Sequence, residues 1–150
     1  MLTYKATFKY GKYMQYPVLV KKQGHEFLVS SRDIPELNAI ADSYEDALIQ
    51  ALDAFVTALM IYMIDRKPIP KASELLEDEV MLFVPLQVSV KVALYREMLE
   101  QNVSKAELAK RMNWGQKQVD RLWDLGHSTR LDSIEQVFLV LGKRLDICVV

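Results

Sequence analysis

The residues best placed by type and spacing to do chemistry lie between Ser104 and Arg130. Gln116, Lys117, Asp120 and Arg121 fall on one side of a short helical repeat, while Val119 and Leu122 fall on the other. Such side chains match the edges of base pairs in a DNA major groove. Glutamine pairs bidentately with adenine, and arginine or lysine with the O6/N7 edge of guanine. Lys105, Lys110, Thr129 and Arg130 stand apart from that face, at positions suited to phosphate oxygens; such contacts set register and carry no sequence information.

A second set of candidates is acidic: Asp33, Glu36, Asp42, Asp46 and Asp53. Carboxylates converging on metal ions could hydrolyse a phosphodiester. Asp42 and Asp46, however, fall at the first turn of a helix, where carboxylates cap and complement the dipole. No metal-ligand spacing stands out. His25 and His127 lie in separate turns, and the single cysteine, Cys148, lies in an apolar stretch as a core or interface residue. The expectation is a protein without catalytic, metal or cofactor site.

The groove-facing residues need a scaffold, and the sequence supplies one. A helix-turn-helix needs a small residue where its helices cross, which is Ala109, and inward apolar residues, which are Leu108, Met112, Val119 and Leu122. Its turn needs a residue that tolerates a left-handed backbone; Asn113 does so more readily than most. Trp114 is the apolar residue expected after the turn. Ser104 caps the first helix, with Glu107 completing a capping box. Gln116 to Leu125 forms the second helix, with Gly126 as its stop. A helix from Ser89, with Val92, Tyr95, Met98 and Leu99 inward, precedes the pair; a helix Ser133 to Leu141, ended by Gly142, follows it. Arg144 to Val150 is a β-prone tail.

The first half has a different rhythm. Tyr16 to Lys21 and Glu26 to Ser30 are β-prone runs around the turn Lys22-Gln23-Gly24-His25, hence a hairpin. Asp33-Ile34-Pro35-Glu36 interrupts the pairing, and a short extended piece follows at Asn38 to Ile40. Ser43 caps a long helix whose apolar residues run from Ala47 to Met63 and which stops before Pro68. Val80 to Val84 is a further strand. The fold class expected is α+β.

Whole-chain properties narrow the classes further. The chain has 150 residues and a net charge of −1. Asp33 to Glu79 carries eleven acidic residues against three basic ones, whereas Ser104 to Arg130 carries six basic against three acidic. Local sign bias steers partners of opposite charge. A lone cysteine excludes an internal disulfide. The longest apolar run, Ala54 to Ile64, is read as too short to span a bilayer, so no membrane is expected. The N-terminus lacks the pattern of a secretory signal. The expected setting is the cytoplasm.

The block from Ala106 to Met112, then Gln116 to Leu122, then Leu131 to Gly142, is similar to Xre/Cro-like repressor domains, with Asn113 standing where glycine is usual. The first half resembles the HicB antitoxin family through Tyr16-Pro17-Val18, Phe27-Leu28-Val29, Asp33-Ile34-Pro35-Glu36, the helix opening Glu45-Asp46-Ala47-Leu48, and Phe83-Val84-Pro85-Leu86. Together they resemble the HicB subgroup with a C-terminal helix-turn-helix, over Met14 to Val150. The resemblance implies three parts. Residues 1–13 would be an extension without counterpart. Residues 14–86 would be a partial ribonuclease-H-like domain that binds a HicA-type mRNA-cleaving toxin, with Asp33, Ile34, Pro35 and Glu36 as candidate contacts. Residues 87–150 would be an all-α helix-turn-helix domain with a short terminal strand, binding double-stranded operator DNA through Lys105, Gln116, Lys117, Asp120, Arg121, Thr129 and Arg130. The tail would pair such domains by edge-strand addition, giving a homodimer or homotetramer. A stand-alone repressor with a ligand-sensing first domain, and a nuclease using the acidic residues, are the competing readings.

Overall fold

The computed structural model describes residues 4–5 and 14–149. The expected extension, residues 1–13, lies outside the described residues except for a two-residue strand. So does any account of the Cys148 side chain. The elements run β1 (Tyr4–Lys5), β2 (Gln15–Gln23), β3 (Glu26–Ser30), β4 (Asn38–Ala41), α1 (Tyr44–Ile64), β5 (Glu79–Phe83), α2 (Leu86–Glu100), α3 (Lys105–Met112), α4 (Gln116–Trp123), α5 (Leu131–Val140) and β6 (Cys148–Val149). They form a mixed α+β structure in two compact units, one of residues 14–84, the other of Pro85 onward with β1.

The first unit is an antiparallel sheet in the order β4-β3-β2-β5 with α1 laid against it. The β2–β3 hairpin closes on Gly24, whose φ of 62° is the left-handed value that favours glycine. Val20 pairs with Val29 across it, and Tyr16 pairs with Leu82 on the other side of β2. With a side-chain period of two, Tyr16, Val18, Val29 and Leu82 share the covered face, and all four are buried. The Tyr16 ring meets Phe55 at 4.8 Å between centroids, and its hydroxyl donates to the Pro70 carbonyl at 2.6 Å. Ser43 caps α1 as expected, accepting from the Asp46 amide at 3.1 Å.

The apolar run in α1 is longer than the sequence reading allowed. Its 21 residues are long and apolar enough, by length and composition, to cross a membrane. Ala47, Ala51, Phe55, Ala58, Leu59 and Met63 are nevertheless buried, one per turn or so along a single stripe, which is how the core helix of a sheet protein behaves.

The second unit is built around one apolar cluster: Val90, Leu94, Met98, Val103, Leu108, Val119, Leu122, Ile134, Val137, Phe138 and Leu141. α2 begins at Leu86, three residues before the expected start, because Pro85 stands immediately ahead of its first turn. Its burial extends beyond the expected stripe to Val88, Val90, Leu94 and a lysine, Lys91. α5 ends as anticipated on Gly142, with φ 73°; the Gly142 amide donates to Leu139 and the Lys143 amide to Phe138, at 2.9 and 2.8 Å. Among the described residues of the β-prone tail, Cys148–Val149 form a strand, which pairs antiparallel with Tyr4–Lys5 of the same chain.

Candidate functional site

The turn between α3 and α4 shows how a short sequence fixes a surface. Ser104 accepts from the Glu107 amide at 3.1 Å and opens α3. The Glu107 carboxylate pairs with Arg111 one turn on, at 2.9 Å, where the sequence suggested a capping box. Asn113 takes φ 54°, ψ 43°, the left-handed conformation its type tolerates. The Trp114 amide then reaches back to the Ala109 carbonyl at 2.9 Å. Gly115 precedes α4, and the Gln118 side-chain oxygen accepts from its amide at 2.9 Å, satisfying a donor at the helix start.

With that entry angle set, Val119 and Leu122 are fully buried, and Gln116, Lys117, Asp120 and Arg121 are exposed on the opposite side. Asp120 ties two of the other candidates together: its Oδ1 accepts from Lys105 Nζ and from Gln116 Nε2, each at 3.0 Å. The Lys105 ammonium also lies 4.5 Å from the centroid of the Trp123 ring. The Lys105 hydrogen bond, followed by that of Gln116, holds the Asp120 carboxyl below its ordinary value. Arg121, Thr129 and Arg130 line a cavity of about 180 Å³ with Trp114, Gln118 and His127. Arg130 is paired there with Asp132 at 2.8 Å.

Two residues that the sequence reading missed hold this surface in place. Lys91 is 1% exposed, and its ammonium donates to the carbonyls of Arg121 and Asp124, at 2.9 and 2.8 Å, and of His127. Burial lowers its pKa, against a smaller opposing effect of the Asp124 charge. This lysine occupies the carbonyls at the end of α4. The helix accordingly stops at Trp123, with Asp124 extended at ψ 101°, rather than running to Leu125 and stopping on Gly126. Gln87 grips the Thr129 backbone from both sides, accepting from its amide at 3.1 Å and donating to its carbonyl at 2.7 Å. A charged residue inside the apolar run Val88 to Leu94 was the available signal for Lys91.

The other candidate surface is the Asp33–Glu36 corner of the first unit, and its side chains point different ways. Ile34 is fully buried. Asp33 accepts from the Ser73 amide at 2.8 Å and from the Ser73 hydroxyl. Pro35 and Glu36 are exposed, and Glu36 accepts from the Tyr62 hydroxyl at 3.0 Å. Beside the corner, Arg32 binds Glu79 at 2.7 Å and the Glu74 carbonyl. No group of three or more His, Cys, Asp or Glu residues among the described residues is arranged to hold a metal ion. The surface of this unit also exposes large apolar side chains: Ile49, Ile61 and Ile64 on α1, Ile40 on β4 and Phe83 on β5.

Comparison with known proteins places the chain. A family model described as the HicB-like antitoxin of bacterial toxin–antitoxin systems matches residues 15–93, which include the whole β-sheet of the first unit and most of α2. The chain is 39% identical over 133 residues to an antitoxin HicB of Pseudomonas fluorescens strain Pf0-1, covering 87% of this chain and 90% of that one. It is 36% identical to antitoxin HicB 2 of Photorhabdus laumondii, covering 91% and 97%. It is 33% identical to antitoxin HicB of Escherichia coli K12, covering 91% and 100%. The match of the family model to more than half of the chain, together with relatives aligned over nearly their full length, shows that this chain belongs to the HicB-like antitoxin family.

Proposed function

We propose that the protein is the antitoxin of a HicA/HicB-type pair with two activities: it neutralises a HicA-type toxin through the unit of residues 14–84, and it represses its own operon through the unit of residues 85–150. The observation that carries the second activity is the left-handed turn at Asn113, which buries Val119 and Leu122 while leaving Gln116, Lys117 and Arg121 outward. That is the arrangement of a helix-turn-helix whose second helix enters a major groove. Lys105, Lys110, Thr129 and Arg130 are then phosphate contacts, with Arg130 exchanging Asp132 for a phosphate on binding. A palindromic operator calls for two copies of α4, so the binding species is at least a homodimer.

For the first activity the support is family membership together with the acidic belt from Asp33 to Glu79, which suits a basic partner. Pro35 and Glu36 supply the exposed part of the Asp33–Glu36 corner, and Asp33 and Ile34 set its shape. An open, largely apolar depression of about 320 Å³ bordered by Lys21, Leu28, Ser30, Asn38 and Ile40 favours the second reading, a repressor whose first unit senses a small ligand.

Co-expression with a HicA-type toxin tests the leading reading, and a small basic reading frame beside the gene is where that toxin should be encoded. The two products should co-purify and the toxin's mRNA cleavage should be suppressed; products that elute separately overturn neutralisation. For DNA binding, the double variant Gln116→Ala/Arg121→Ala should lose protection of its own promoter, each change costing about 1–3 kcal/mol. Normal footprinting by that variant would show that α4 is not the reading helix.

A further inference from the structure

On the reading of α4 as the groove-entering helix, we infer that Asp120 is a specificity-determining residue, which orients Gln116 and holds back Lys105 so that the surface binds its operator in preference to arbitrary DNA. Asp120 is the only acidic residue in α4, and it sits on the face proposed to approach a polyanion. Its position is unfavourable in two independent ways. A carboxylate there repels phosphates, and in the second half of an eight-residue helix it faces the negative end of the dipole. What it gains in return is local: Lys105 and Gln116 both donate to one of its oxygens, at 3.0 Å.

Each contact has a consequence for recognition. A carboxylate only accepts, so Gln116 must present its amide nitrogen to Asp120. One N–H is used there, leaving the second N–H and the carbonyl as the outward edge. That donor–acceptor pair is the complement of adenine N7 and N6. Without Asp120 the carboxamide is free to rotate and offer the reversed pair. Lys105, meanwhile, is held between Asp120 and the Trp123 ring, 4.5 Å away. A phosphate must compete with the carboxylate for that ammonium. Binding by phosphate contacts alone is therefore weakened, whereas a complex that also engages Gln116 with its base offsets the competition. Specificity is a difference between affinities, and a built-in repulsive element raises it.

The test uses the full chain and two duplexes of equal length, one carrying the sequence upstream of its own gene and one scrambled, titrated by fluorescence anisotropy across a salt series. Asp120→Asn removes the charge and lets the side chain either donate or accept. The expected result is about 3- to 10-fold tighter binding to the scrambled duplex, a fall of about tenfold in the operator-to-scrambled ratio, and a salt slope steeper by about one as Lys105 is released. A second variant closes the cycle: in a Lys105→Gln background, Asp120→Asn should tighten scrambled binding far less than it does alone. Weaker operator binding with unchanged scrambled binding would instead make Asp120 a direct base reader and overturn the inference, as would additive effects in the cycle. A wild-type chain that binds both duplexes equally would overturn operator recognition itself, an outcome distinct from discrimination that survives Asp120→Asn unchanged.

Discussion

Residues 14–84 engage two of their candidate carboxylates, Asp33 and Glu36, with their own chain, whereas residues 85–150 leave their candidate base-reading side chains facing outward. In the first unit Asp33 is bound by Ser73, Glu36 by Tyr62 and Glu79 by Arg32. That unit also exposes apolar side chains, Ile49, Ile61 and Ile64 on α1, Ile40 on β4 and Phe83 on β5, and acidic residues such as Asp42, Asp53 and Asp78, whose charge steers a partner of opposite sign. In the second unit Gln116, Lys117 and Arg121 are exposed on one face of α4, and its charged network, Lys105–Asp120–Gln116, lies on the surface. Apolar area together with charge suits a protein partner. Outward amides and cations on a helix suit the grooves and phosphates of DNA. The difference teaches that a carboxylate singled out in a sequence is not thereby available to a partner, since the fold can take its hydrogen bonds first, as it does at Asp33.

The contrast breaks most readily at Ile34. If the Asp33–Glu36 corner is held by its own packing, Ile34→Ala should lower the free energy of urea unfolding by about 2–5 kcal/mol. A variant of unchanged stability that no longer retained the toxin would make Ile34 a contact residue and erase the distinction between the units. The next largest effect is expected from Lys91→Met, which leaves the carbonyls of Arg121, Asp124 and His127 without their donor. The expected loss is about 2–4 kcal/mol by urea unfolding, with faster amide exchange across residues 124–129. A loss below about 1 kcal/mol would mean that water replaces the ammonium and that α4 does not depend on it.

The smallest effect is a pH dependence in the first unit. The Arg32 hydrogen bond, then the Leu76 amide, hold the Glu79 carboxyl below its ordinary value of 4.5. A carboxyl depressed in the folded state stabilises fully above its ordinary value, and that stabilisation disappears as pH falls through the lower folded value. Arg32→Gln should therefore reduce the stability lost on acidification below about pH 4.5, read as urea midpoints along a pH series. An unchanged acid limb would assign that loss to other carboxylates.

Much of the scaffold was legible in the sequence because local rules govern it. The hairpin follows from alternation around Gly24, the start of α1 from Ser43, the α3–α4 turn from Asn113 and the end of α5 from Gly142. Each depends on backbone preferences within a few residues. The stop of α4 was misplaced because its cause lies elsewhere in the chain: Gly126 looked like a terminator, but Lys91 takes the carbonyls of Arg121 and Asp124 some thirty residues away in sequence. Asp33 and Ile34 are candidate toxin contacts through the family resemblance, and the structure adds what the sequence did not show: Ile34 is buried and Asp33 is held by Ser73.

Sequence alone thus determined the inward residues of α1, α3 and α4, since helical periods are short-range geometry, and only part of the buried face of α2. It determined the α+β class, and it carried enough of the family's pattern to point to HicB-like antitoxins. Only the tertiary structure decided which polar groups remain available. Asp33 is consumed by Ser73, Lys91 by the end of α4, and Asp120 by Lys105 and Gln116. Each of these choices depends on residues that are distant in sequence or a full turn away, and a buried or half-buried polar group takes whichever partner the packing brings within hydrogen-bond reach.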